Sequence, residues 1–131
     1  MAECVLLVHA VALHLTVAVL VRLRPFGEVV RRLSLWYVPR CGRRAPEVTV
    51  LWAVRTGRFL VPMGSTCLTE GLTAHLLLAR HGCPSDLLFG VARPDGTALT
   101  AHAWVEREGR IVIGDTTTAA YAPLRRTRNS L

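Results

Sequence analysis

Three residues in this sequence have the types and spacing for nucleophilic chemistry: Cys67, His102 and Asp115. Cys67 opens the run CLTEGLTAHLLLARHG, which follows Ser65-Thr66 and closes on Gly82. A Ser or Thr cap at one end and Gly just past the other predict a helix from Cys67 to about His81. A cysteine in a first helical turn meets unpaired N–H groups and about half a positive charge from the aligned peptide dipoles, which favour a thiolate. His102 falls within the apolar run Thr100–Glu106, and Asp115 ends the run Arg110–Asp115. Between them, Glu108-Gly109 signals a tight hairpin. A two-residue turn centred on that pair sets residue 102 directly opposite residue 115, on one face of the ladder. A thiol, an imidazole to take its proton and a carboxylate to orient the imidazole form the Cys-His-Asp set of acyl transfer.

Each residue alone has a plainer reading. A cysteine at a helix start is usually structural, and a strand histidine is more often a satisfied core residue than a base. Their joint occurrence, in this order, favours catalysis. Cys4, Cys41 and Cys83 read as structural, and His75 and His81 have no acid or cysteine at a catalytic spacing. Trp104 alternates with His102 and shares its face, as a substrate-binding cleft wall or as core. No CxxC pair or Cys/His cluster suggests a metal.

The elements that must position these residues are also legible. Cys4–Val21 is nearly unbroken apolar sequence, ended by Arg22–Pro25. Phe26, Val29, Val30, Leu33 and Tyr37 repeat at helical spacing opposite Arg31 and Arg32. After a basic loop, Pro39–Pro46, a third helix is predicted over Glu47–Leu60. Beyond the Cys67 helix come a strand at Leu87–Val91, the turn Pro94-Asp95-Gly96, and the hairpin. The expected fold is α+β: a helix followed by antiparallel strands, with an N-terminal helical part. Residues 1–62 form that Arg-rich part, for partner docking or core cover, and residues 63–131 the catalytic core.

At 131 residues the chain suits one domain, and 51% hydrophobic against 19% charged residues excludes a disordered protein. All 16 basic residues are arginine, giving a net charge of +7. Seven lie between Arg22 and Arg44. Such a block suits an acidic protein or anionic lipid, or is simply a solvated face; no reading motif accompanies it, so nucleic acid is not expected. Arg31, Arg32, Arg43 and Arg44 are the candidate docking residues. The sparse cysteines and the lack of a signal peptide point to the cytoplasm. Cys4–Val21 reaches the lower length of a membrane span, yet contains His9 and His14. A helix buried in this protein or a partner and a membrane contact both stay open.

The segments CLTEGLTAHLLLARHGCPSDLLFGV and AHAWVEREGRIVIGD resemble the transglutaminase-like leader peptidases of lasso-peptide biosynthesis. The resemblance covers Thr66 to about Asp115; residues 1–62 match only in style. Cys83-Pro84-Ser85 stands where that family often has Ile-Pro-Ala. The resemblance implies a papain-like or transglutaminase-like core with the triad Cys67, His102 and Asp115, and no metal or organic cofactor. It implies as partners a precursor peptide with Thr at the penultimate leader position, a small leader-recognition protein and an ATP-dependent cyclase. The alternatives are an acyl or amide transferase using the same triad, and a non-catalytic membrane-associated adaptor.

Overall fold

Local signals set the helices, and long-range pairing sets the sheet. The structure, a computed structural model, describes residues 1–36, 44–62, 66–93, 96, 98–114 and 121–128. Within them the order is α1 (Ala2–Leu23), α2 (Phe26–Trp36), α3 (Glu47–Leu60), α4 (Cys67–Arg80), β1 (Asp86–Ala92), β2 (Thr100–Arg107), β3 (Arg110–Ile113) and β4 (Ala122–Arg128). The architecture is α+β, with an antiparallel sheet in the order β3-β2-β1-β4.

Helix α4 is the centre. Thr69 and every residue from Gly71 to Ala79 are buried, so beyond its first turn this helix is enclosed all round rather than along one stripe. The sheet covers one side: a Cβ at Gly71 would lie 3.2 Å from Leu87 Cδ1 and 3.9 Å from Ala103 Cβ and Val105 Cγ2. Helices α1 and α3 cover the rest, and one apolar cluster runs from Leu6 of α1 through Val29, Val54 and Leu76 to Ile113 of β3. Residues on both sides of position 62 share that core. Phe26 of α2 meets Phe89 of β1 edge to face, ring centroids 4.7 Å apart.

Helix α1 is long and apolar enough to cross a membrane, yet Leu6, Ala10, Leu13, His14, Val17 and Ala18 are buried on one of its faces. The hairpin turns at Glu108 (φ 51°) and Gly109 (φ 74°), two left-handed residues that match the twist of the flanking strands. Its pairing starts in the expected register, Arg107 with Arg110 and Glu106 with Ile111, then shifts so that Val105 faces Ile113. Val112 is the extra residue of a bulge. The unbroken ladder that set residue 115 directly opposite residue 102 therefore does not extend past Glu106. Strand β4 was not expected from the sequence; it pairs with β1 as the edge strand of the sheet, the place in a sheet that tolerates a proline such as Pro123.

Candidate active site

Cys67 owes its position to a capping box. Thr66 Oγ1 accepts from the Thr69 amide at 3.3 Å, and Thr69 Oγ1 accepts from the Thr66 amide at 2.9 Å. These two bonds fix the first turn of α4, and Cys67 is its first residue. The side chain is half-buried and free of any disulfide.

Cys67 and His102 line one cleft of about 650 Å³, formed where the start of α4, the end of α3 and the β2–β3 hairpin meet. His102 sits near the start of β2. Ala103 and Val105 point toward α4, so alternation sets His102, Trp104 and Glu106 on the other face of the strand. There the imidazole lies between two aromatic rings, 6.0 Å from Trp104, stacked at 20°, and 5.2 Å from Tyr121. Trp104 is only 3% exposed and is not among the residues lining the cleft. Its indole N–H donates to Glu106 at 3.1 Å, and Glu106 in turn accepts from Arg126 at 3.1 Å. Gly90, paired with His102, makes this packing possible: a Cβ there would lie 2.8 Å from Tyr121 Cβ and 3.0 Å from the Trp104 ring.

The opposite cleft wall comes from α3. Arg55 donates to the Val112 carbonyl at 2.7 Å, which ties the helix to the hairpin at its bulge. Arg58 pairs with Glu70 at 3.2 Å and lies over the Phe59 ring, 4.8 Å from its centroid. Glu70 follows Cys67 by three residues, hence on the same side of α4. Gly114 completes the wall beside Ile113. Its φ of +110° and a clash of 2.7 Å between any Cβ and Trp104 Cβ exclude other residues.

Of the residues expected to act together, the structure brings Cys67 and His102 into one cleft, while Asp115 lies outside the described residues. Arg31 and Arg32 are exposed on α2, with Arg32 paired to Glu28. Arg44 is exposed beside Gly82, and Arg43 lies outside the described residues. Sequence reasoning missed Arg55, Arg58, Phe59, Glu70 and Gly114. The spacing of Glu70 from Cys67 and the adjacency of Gly114 to Asp115 were available signals, whereas α3 carried none.

His14, His75, His81 and Cys83 are set apart by burial, and exposed His9 by its place on α1. His75 is fully buried, its Nδ1 3.0 Å from Ser85 Oγ; desolvation lowers its pKa to about 4 against the opposing pull of Asp86. Burial also lowers His14, helped by the Arg58 charge, and lowers His81, whose Nδ1 accepts from the Ala45 amide. Burial pushes the Cys83 thiol up, away from a nucleophile's range. Among the described residues no group of His, Cys, Asp and Glu could hold a metal ion.

Neither a curated protein nor a solved structure matches the chain. The transglutaminase-like superfamily does match, over residues 11–126, from within α1 into β4 and through both cleft residues. Members of this superfamily are generally cysteine-peptidase-like enzymes, with hydrolytic or transferase activity. A capped Cys67 and a strand His102 sharing one cleft, inside a match that spans nearly the whole chain, lead to one conclusion: the chain belongs to the transglutaminase-like superfamily.

Proposed function

We propose that this protein is a cysteine peptidase that removes the leader from a ribosomally made lasso-peptide precursor, with Cys67, His102 and Asp115 as its triad. The observation that carries the reading is the cleft shared by Cys67 and His102. His102 takes the thiol proton as Cys67 Sγ attacks the carbonyl carbon of the scissile amide. The backbone N–H of Cys67 donates to the oxyanion that forms. Collapse of the tetrahedral intermediate breaks the C–N bond, and His102 returns the proton to the departing amine. Water, deprotonated by His102, then attacks the thioester, releasing the leader's new carboxylate and restoring the thiol. Asp115 holds the imidazole in its working tautomer, and Trp104 positions it by stacking rather than by touching substrate.

A leader-recognition protein presents the precursor, and an ATP-dependent cyclase takes the freed core peptide. Arg31, Arg32, Arg43 and Arg44 steer the acidic, leader-bound partner toward the enzyme. The cytoplasm is the setting for all three.

The test is cleavage of a precursor carrying Thr at the penultimate leader position, followed by mass spectrometry. Cys67→Ala should abolish cleavage with the fold intact, while Cys4→Ala, Cys41→Ala and Cys83→Ala should leave it measurable. Transfer of the acyl group to an added amine in preference to water would make the protein a transferase. An active Cys67→Ala protein would end the triad reading altogether. Charge reversal of the four arginines should slow cleavage of full precursor with its partner much more than cleavage of a short peptide. Equal losses on both substrates would remove the docking role.

A further inference from the structure

Helix α1 has two apolar faces, and among the described residues only one of them has a partner. Leu6, Ala10, Leu13 and Val17 are buried, packed toward α3 and α4. On the other side Val5, Val8, Ala12, Val19 and Leu23 recur at three-, four- and seven-residue steps, and all are exposed. Val5, Val8 and Leu23 are 66%, 68% and 71% exposed. At 1.5 Å per residue this stripe is about 27 Å long. Thr16 lies on it and exposed His9 lies at its edge, four residues after Val5. The Thr16 hydroxyl donates to the Ala12 carbonyl at 2.8 Å, so its polarity is satisfied within the helix. No charged residue occurs between Glu3 and Arg22.

We infer that this stripe docks into the boundary between headgroups and acyl chains of an anionic membrane, with α1 lying in the plane of the interface. The helix cannot cross the bilayer without leaving the fold, because its other face is core and His14 on that face is fully buried. Lipid fits the stripe better than a protein partner does. A protein interface carries about one hydrogen bond per 100–200 Å² and concentrates its binding energy in Trp, Tyr and Arg anchors. Apart from Thr16 and, at its edge, His9, this stripe offers aliphatic side chains with no aromatic or arginine anchor at its centre, and acyl chains ask for none. The charge is complementary too. Arg22 and Arg24 are exposed at the end of the stripe, flanking Leu23, and no acid occurs from Cys4 to Gly27. Their aliphatic stems can follow the helix into the interface while the guanidinium groups meet phosphates.

The experiment is co-sedimentation of the full chain with vesicles of phosphatidylcholine alone and of equimolar phosphatidylcholine and phosphatidylglycerol. The wild type should bind the anionic vesicles, and bind the neutral ones more weakly. The double variant Val8→Asp/Val19→Asp should partition roughly tenfold less or worse, with its melting temperature retained because both side chains already stand in solvent. If that variant melts early, Val5→Gln/Leu23→Gln serves in its place. Arg22→Gln/Arg24→Gln should lose roughly thirtyfold on anionic vesicles, from about 1 kcal/mol per arginine, and little on neutral ones. Wild type that ignores both vesicles, or stripe variants that bind as well as wild type, would overturn the inference. So would self-association of the wild type without lipid binding, abolished by the same variants, which would make the stripe an interface between copies.

Discussion

The two faces of β2 do different work with neighbouring residues. Toward α4, Ala103 and Val105 close on Gly71 and Leu87 in a wholly apolar contact. Away from α4, His102, Trp104 and Glu106 join Tyr121 and Arg126 in a chain of ring stacking, hydrogen bond and ion pair. The first face depends on volume and the second on direction, since stacking and hydrogen bonds constrain orientation in a way that dispersion does not. The same contrast separates two imidazoles. His75 is sealed beneath the sheet and kept neutral, whereas His102 opens onto the cleft with its ring held by aromatic neighbours.

Four measurements can break this division. The largest effect is expected from His102→Ala, with turnover down roughly 10²–10⁴-fold and melting little changed. A large fall in melting temperature would return His102 to the core. Leu87→Ala, on the helix side, should lose about 2–5 kcal/mol of stability in denaturant titration, with turnover per folded molecule nearly intact. If instead its folded fraction were inactive, the two faces would not be separable.

Acid tests the buried imidazole. His75 has a folded pKa of about 4, against about 6.5 unfolded. The unfolded chain therefore takes up a proton first as pH drops. Stability from this group is complete above pH 6.5 and lost between 6.5 and 4, on the order of 3 kcal/mol in all. His14 and His81 shift in the same direction. Melting temperature should fall from pH 7.5 to pH 4.5, and His75→Gln should flatten the fall; a pH-independent melt would contradict a neutral buried His75. The smallest effect belongs to Trp104→Phe, which removes the donor to Glu106. Turnover should fall a few-fold, about 1 kcal/mol, at unchanged KM. A raised KM with normal turnover would make Trp104 a substrate wall after all.

Sequence reasoning succeeded where the causes are local. Helix α3 has its expected bounds, Glu47–Leu60, and α4 begins at Cys67, because caps and helical period act within a few residues. Strand β4 escaped because Ala-Pro-Leu-Arg-Arg-Thr-Arg has neither alternation nor a β-branched run; only pairing with β1 makes it a strand. The bulge at Val112 likewise has no local marker, so a register drawn from the turn alone ran one residue out. At the site, Cys67 and His102 were legible from helix capping and hairpin pattern. The cleft wall formed by Arg55, Arg58 and Phe59 was not, since it depends on how α3 lies against a distant hairpin.

That placement of α3 has a consequence for the order in which the molecule comes together and comes apart. Glu47 at its start holds Arg107 at 2.7 Å across a separation of 60 residues, and Arg55 holds Val112 across 57. Contacts this remote in the chain close late in folding, after the helices have formed locally. The reactive cleft is thus completed only when the hairpin docks on α3. On mild warming or dilute denaturant the sequence should reverse, with turnover at the cleft disappearing while the helical circular dichroism of α1, α3 and α4 persists.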